Sequence, residues 1–264
     1  MDLNYVLIFL KDFPYNYFFF TLSATFLFYL TGHGVFNLLN ITIKEKITSL
    51  FFKLFFSLII TVFVFSFIKT SGLTINLGIL LIIIFITFDI WVSKSLAINF
   101  EKNNLKKLIN FEDLKKLLLL SVFSLGLFIF HYFFLYNING IYTTIECDSL
   151  FYSNVAMFLG ETGREALVWD YINPELVGNS PYHYFESWLT ALIVWGFQLD
   201  NYWAAQWLST STILQSILLL GGWALIEQIS GDSLIKIKQL AFATGILFFS
   251  GYLGQLANFE VYKF

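Results

Sequence analysis

The segment 136–183 is acidic and aromatic, and a predicted span follows it. This segment and the start of that span contain two pairs of side chains that can take part in catalysis or ligand binding. Glu146 and Asp148 are carboxylates two residues apart, and in an extended loop both can converge on a divalent ion or a sugar hydroxyl. His183 and Glu186 are three residues apart, which places them on one face of a helix. Such a pair at a membrane boundary can bind a metal, hold a phosphate-bearing headgroup or transfer a proton.

Each of these side chains also has a purely structural interpretation. Asp148 precedes an apolar pattern of helical spacing that Gly160 is suited to end, so it can be the N-cap of a short helix, which does not exclude catalysis. That amphipathic helix can lie on the headgroup boundary or on the helical bundle. His183 stands in an aromatic stretch that is typical of a membrane interface.

The other charges of the segment are interpreted as follows. Four further acids are read as solvated loop residues: Glu161, Glu165, Asp170 and Glu175. Arg164 is the one arginine of the chain, and it is suited either to contact a phosphate or to form an ion pair within the loop.

The composition is that of an integral membrane protein. Of the 264 residues, 58% are hydrophobic and 12% are charged, against about 25% charged in soluble domains. About 20 mostly apolar residues cross a bilayer as a helix, and the chain has about seven such runs: residues 17–39, 50–68, 73–92, 117–136, 182–199, 204–226 and 240–257. The predicted fold class is therefore all-α, a polytopic transmembrane bundle of about seven spans with one external loop that contains short interfacial helices.

The distribution of lysines predicts the orientation of this bundle. Six lysines follow the third predicted span, and Lys44 and Lys46 follow the first, so both connections should be cytoplasmic. Alternation of the spans then places the amino terminus and the acidic segment on the external side.

Redox chemistry and nucleic-acid binding are two functions that the composition argues against. The single Cys147 cannot form an intrachain disulfide and lacks the spacing of a cysteine metal site. The net charge of -3, without a basic tract interleaved with aromatic residues, argues against nucleic-acid binding.

Polar groups inside the predicted spans are interpreted as structural. Asp89 can pair with Lys94 at the inner surface, and lone histidines such as His33 and His131 more often bond a neighbouring helix than a ligand. The run STSTILQS, residues 209–216, should face other helices rather than lipid.

The order of features along the chain resembles the amino-terminal part of the GT-C superfamily of glycosyltransferases. These features are a span, an external loop whose first helix carries the pattern D-x-x-x-Y at Asp148 and Tyr152, a turn bounded by glycine, and the sequence Pro-Tyr-His-Tyr at the start of the next span. Enzymes of this family transfer sugars from polyprenyl-phosphate donors outside the cytoplasm, and their first external loop carries an acid that serves as catalytic base or metal ligand.

The resemblance implies a membrane glycosyltransferase of the bacterial inner membrane, with the loop at 137–181 extracytoplasmic. Asp148 would be the catalytic residue with Glu146 in support, and the same two would be the ligands of a divalent cation if one takes part. Four residues would contact the polyprenyl-phosphate-linked sugar donor: His183, Glu186, Tyr152 and Arg164.

The chain departs from the family pattern at both ends. Three predicted spans precede the helix with which the family ordinarily begins, and the chain stops where the family continues. We therefore expect a region 1–116 of three spans with a cytoplasmic lysine-rich loop, and a truncated GT-C-like region 117–264 that contains the external acidic loop 137–181 and three further spans.

A non-enzymatic alternative is a transport or assembly subunit for lipid or polysaccharide export, with the loop as a docking surface. In that case the acids of the loop would be replaceable. A transporter should also show charges or broken helices at mid-membrane, and apart from Gly221 and Gly222 the sequence shows little of either.

Overall fold

The computed structural model describes residues 13–39, 41–71, 111–135, 147–164 and 184–230. The regular elements in these ranges are all helices: α1 Tyr15–Leu38, α2 Lys46–Thr70, α3 Phe111–Leu135, α4 Cys147–Thr162, α5 Tyr184–Phe197 and α6 Tyr202–Ser230. Helix α6 consists of a short α-helical turn, a π-helical segment Ala205–Thr210 and a long α-helical part, Ser211–Ser230. The predicted all-α class is confirmed for these parts of the chain.

Three of these helices are long and apolar enough to cross a membrane, over Tyr15–Phe36, Lys46–Thr70 and Tyr202–Ser230. Shorter apolar stretches occur in α3, at Leu120–Tyr132, and in α5, at Phe185–Phe197. The described helices thus identify the chain as an integral membrane protein. The predicted spans 73–92 and 240–257, like Asp89, lie outside the described residues, so the count of seven stays a prediction.

Helices α1 and α2 are neighbours in close backbone contact at a glycine. A Cβ atom placed on Gly32 would lie 1.9 Å from the carbonyl oxygen of Lys53, so a side chain at this position would force the two helices apart. Small residues permit such approaches in membranes, where packing rather than the hydrophobic effect holds helices together.

The polar run of α6 faces other helices, as the sequence predicts, and two of its residues contact α3. The hydroxyls of Ser216 and Ser124 lie 2.8 Å apart, and Thr212 Oγ1 lies 3.1 Å from His131 Nδ1. All four side chains are buried. The interpretation of His131 as a partner for a neighbouring helix is therefore confirmed, and so is that of the run as helix-packing residues.

A buried carboxylate near the end of α6 caps the start of α2. Glu227 accepts hydrogen bonds from the backbone N–H groups of Ile47 (3.2 Å) and Thr48 (2.8 Å), and from the Thr48 hydroxyl (3.0 Å). The first N–H groups of a helix have no partner within it, and the positive end of the helix dipole favours an anion there. Glu45, at the N-cap position itself, makes no side-chain cap bond, so α6 supplies the cap instead.

Contacts at both ends of α6 fix its direction. Glu227 lies at the start of α2, whereas Asp200, just before α6, accepts a bond from the Tyr17 hydroxyl at the start of α1 (3.1 Å). Since α1 and α2 are consecutive antiparallel helices, the turn between α5 and α6 lies at the same end of the bundle as the start of α1. Simple alternation of the predicted spans would place that turn at the opposite end.

Helix α5 explains the difference because it does not cross the whole bundle. It has 14 residues, which extend about 21 Å, against about 30 Å of hydrocarbon in a bilayer. Its first turn lies midway along the bundle, where Phe185 lines an apolar groove with Leu58 of α2 and Ile217 of α6. In its described part, the predicted span 182–199 is a helix about two thirds as long as the hydrocarbon layer is thick.

Replacement of Gly32 with alanine should destabilise the protein by about 1–3 kcal/mol, because the added methyl group overlaps the Lys53 carbonyl oxygen. Gly126→Ala is the matched control, since a Cβ atom there meets nothing within 4 Å and alanine is the better helix former by about 1 kcal/mol. Thermal unfolding in detergent, followed by tryptophan fluorescence, measures both variants. Equal melting temperatures for the two would contradict the close packing of α1 on α2.

Candidate functional site

Asp148 lies in the first turn of α4, one residue after the helix begins at Cys147. The predicted helix is confirmed, but its end at Gly160 is wrong. Gly160 is buried inside the helix, and a Cβ atom on it would lie 2.6 Å from the Tyr202 hydroxyl. The helix continues to Thr162 and ends at Gly163, whose φ of 67° is the left-handed conformation typical of a helix C-terminus.

The sequence left open whether α4 lies on the headgroup boundary or on the helical bundle. In the structure it packs on the bundle. Val155, Ala156 and Leu159 are buried, whereas Met157 and Glu161 on the other side are exposed. The buried side packs mainly along α5 and the start of α6. The helix that carries Asp148 is therefore part of the folded core.

Lys69, in the last turn of α2, holds the end of α4 in place. Its Nζ donates a hydrogen bond to the carbonyl oxygen of Gly160 (3.0 Å) and lies 5.4 Å from the centre of the Trp195 ring. A Cβ atom on Gly163 would lie 2.3 Å from the Lys69 carbonyl oxygen, so the two backbones also touch. A cation at a helix C-terminus is favoured by the helix dipole.

Glu186 lies in the first turn of α5, within a cluster of polar side chains between α5 and the π-helical segment of α6. Gln206 Nε2 donates to Glu186 Oε1 (2.5 Å), and the Thr190 hydroxyl donates to Gln206 Oε1. The hydroxyl of Thr210 lies 2.8 Å from that of Thr190. Thr190, Gln206 and Thr210 are buried and Glu186 is half-buried. We call these four residues the α5–α6 polar cluster.

The π-helical geometry brings α6 into this cluster. A π-helix has a wider turn than an α-helix and occurs frequently at functional sites. Here the segment Ala205–Thr210 turns Gln206 and Thr210 toward α5, while Ser209 hydrogen-bonds the Tyr17 carbonyl oxygen of α1 (3.4 Å). One short segment therefore contacts two different helices through polar side chains.

The other residues predicted for the site are placed as follows. Tyr152 is half-buried on α4, with its ring 5.6 Å from that of Phe151. Arg164 is exposed just past the end of α4, and its backbone N–H donates to the Thr162 hydroxyl (3.1 Å). Glu146 and His183 lie outside the described residues.

Within the described ranges, no group of three or more His, Cys, Asp or Glu side chains is placed to hold a metal ion. The predicted carboxylate pair, Glu146 and Asp148, falls only partly in those ranges, and its cation stays a prediction.

No protein-family model, curated protein or solved structure is significantly similar to this chain. The class that the fold defines is that of a helical integral membrane protein.

Sequence reasoning missed Lys69, Thr190 and Gln206. Lys69 directly follows the predicted span 50–68, and a lysine at that position can reach a backbone carbonyl of a neighbouring helix. Thr190 and Gln206 stand 16 residues apart in two different predicted spans, and no local pattern brings them together.

Lys69→Met should loosen the attachment of α4, because it removes the bond to Gly160 and the contact with the Trp195 ring while it keeps an apolar side chain. A hydrogen bond to a charged group contributes about 1.5–3 kcal/mol. Hydrogen exchange should become faster in Cys147–Thr162 and stay unchanged in Ser211–Ser230. Lys44→Met, at an exposed lysine, is the control and should change neither. Unchanged exchange in α4 of Lys69→Met would show that Lys69 does not hold it.

Proposed function

We propose that the protein is a membrane glycosyltransferase of the GT-C type, which transfers a sugar from a polyprenyl-phosphate donor on the extracytoplasmic side of the membrane. The observation that supports this proposal best is the packing of α4 along α5. It brings together a helix with Asp148 in its first turn and a helix with Glu186 in its first turn.

The charges around these two helices also support the proposal. Lys69 and Arg164 both lie at the end of α4, where Lys69 belongs to the end of α2 that lysine distribution predicts to be external. Asp148 lies at the other end of α4, and cations at the end of a bundle are suited to bind the phosphate of a donor.

In the proposed reaction, Asp148 positions or deprotonates an acceptor hydroxyl. The acceptor oxygen then forms a bond to the anomeric carbon, the bond from that carbon to the donor phosphate breaks, and the phosphate leaves on its lipid. Glu146 would support Asp148 or bind a divalent cation, for which carboxylate oxygens are suitable ligands. His183, Glu186, Tyr152 and Arg164 would contact the donor.

Asp148→Asn should lower sugar transfer by at least about 100-fold, the usual contribution of a general base. Glu161→Gln is the matched control, since it removes an exposed acid from the far end of the same helix. Incorporation of labelled sugar into membrane lipids or surface glycans in cells that express each variant measures the effect. Full activity of Asp148→Asn at an unchanged protein level would overturn the assignment.

The extracytoplasmic position of α4 can be tested with the single cysteine of the chain. In a Cys147→Ser background, Thr162→Cys should react with a membrane-impermeant maleimide in right-side-out vesicles, and Lys44→Cys should react only after permeabilisation. Both positions are exposed and lie at opposite ends of the bundle. The reverse pattern would refute the proposed orientation.

The non-enzymatic alternative, a transport or assembly subunit, is favoured by one observation. Helix α5 begins midway along the bundle and faces a π-helical break in α6, and interrupted helices with polar groups at mid-membrane are typical of transporters. Full sugar transfer by both Asp148→Asn and Glu161→Gln would favour this alternative.

A further inference from the structure

We propose that Glu186 recognises hydroxyl groups of the sugar that the donor carries, and that Gln206, Thr190 and Thr210 position its carboxylate for this contact. The identity of the ligand rests on the proposed function, in which the donor is a polyprenyl-phosphate-linked sugar. Within that donor, Glu186 is assigned to the sugar and not to the phosphate.

The four side chains of the α5–α6 polar cluster form one chain of hydrogen bonds. The hydroxyls of Thr210 and Thr190 lie 2.8 Å apart. Thr190 donates to Gln206 Oε1, and Gln206 Nε2 donates to Glu186 Oε1. A threonine hydroxyl has one proton to donate, so when Thr190 donates to Gln206, Thr210 is the donor to Thr190. The chain of donors therefore runs from Thr210 to the carboxylate of Glu186, which accepts at its end.

The amide of Gln206 is held in one orientation by its two neighbours. Its Oε1 accepts from Thr190, so its Nε2 faces Glu186, and an amide nitrogen can only donate. A flipped amide would place two oxygen atoms against each other at the contact with Glu186. The Thr190 hydroxyl also lies 3.1 Å from the carbonyl oxygen of Glu186, so Thr190 contacts both the backbone of Glu186 and the amide that holds its side chain. Glu186 is thus presented as a hydrogen-bond acceptor.

Burial separates the residue that a ligand can reach from the residues that hold it. Thr190 and Thr210 are fully buried, and Gln206 is 3% exposed, whereas Glu186 is half-buried. A buried polar group that loses its partner destabilises the folded state, so buried hydrogen-bond networks fix the side chains that belong to them. Gln206, Thr190 and Thr210 therefore act on a ligand through Glu186, as positioning residues.

The charge of Glu186 selects the part of the donor that it contacts. Glu186 lies in the first turn of α5, where the helix dipole favours an anion. An ionised carboxylate only accepts hydrogen bonds, and the hydroxyl groups of a sugar are donors that form strong, charge-assisted bonds with it. The phosphate of the donor is itself an anion, and a carboxylate repels it. Glu186 is therefore suited to the sugar and unsuited to the phosphate.

The test compares the binding of undecaprenyl phosphate with that of the same lipid carrying glucose or mannose, to the full chain in detergent. The rise of the melting temperature with lipid concentration, followed by tryptophan fluorescence, gives the dissociation constants. We expect the wild-type protein to bind one of the sugar-bearing lipids at least about tenfold more tightly than undecaprenyl phosphate, the usual effect of a hydrogen bond to a charged group. Glu186→Gln, Gln206→Leu and Thr190→Val should lower this ratio toward one and leave the binding of undecaprenyl phosphate unchanged. Thr190→Ser keeps the hydroxyl and should retain the ratio.

Thr212→Val is the matched control, because it removes a buried hydroxyl of α6 that faces His131 instead of the cluster. A merely structural effect lowers the melting temperature with every lipid, so Thr212→Val should keep the ratio of the dissociation constants. Equal binding of the three lipids by the wild-type protein would overturn the assignment of Glu186, and so would a sugar preference that persists in Glu186→Gln. A preference that Gln206→Leu and Thr190→Val leave unchanged would overturn their positioning role.

Asp148→Asn separates the sugar contact from the proposed function. This variant should lose sugar transfer and keep the ratio of the dissociation constants. Full transfer by Asp148→Asn with an intact ratio would refute Asp148 as the catalytic residue and leave the sugar contact of Glu186 in place. Lost transfer together with equal binding of the three lipids would refute the sugar contact alone.

Discussion

A polar side chain inside a membrane protein has no water to bond, so its partner has to come from its own helix or from a neighbouring one. In this chain the polar side chains of α6 pair with four neighbouring helices. Its contacts are Ser209 with α1, Glu227 with α2, Thr212 and Ser216 with α3, and Thr210 with α5. Displacement of α6 along its axis would break all of these bonds together, so the positions of α1, α2, α3 and α5 depend on that of α6.

The interruption of α6 follows from the same constraint. The π-helical turn lets Gln206 and Thr210 reach α5 while Ser209 reaches α1. Because the next turns return to α-helical geometry, Thr212 and Ser216 still face α3. The break therefore combines two polar interfaces on one helix. It also creates a group of side chains in which an acid, an amide and two hydroxyls meet.

Helix α4 connects this bundle to the predicted catalytic acid. Its C-terminal end is fixed by Lys69 and by the close contact of Gly163 with the end of α2. Its buried side packs along α5, so Asp148 and Glu186 lie on neighbouring helices. The glycosyltransferase proposal depends on this position of α5, because of its contact with α4.

The sequence by itself determined the membrane class, the approximate bounds of the described spanning helices, the helix after Asp148 and the inward orientation of the α6 polar run. These properties follow from composition and from helical periodicity, which are local. The tertiary structure alone decided that Gly160 continues its helix, that α5 begins midway along the bundle, and that Glu186, Thr190 and Gln206 meet. Such features depend on contacts between residues distant in the chain, such as Lys69 with Gly160 and Glu227 with Thr48, and no spacing within a single segment encodes them.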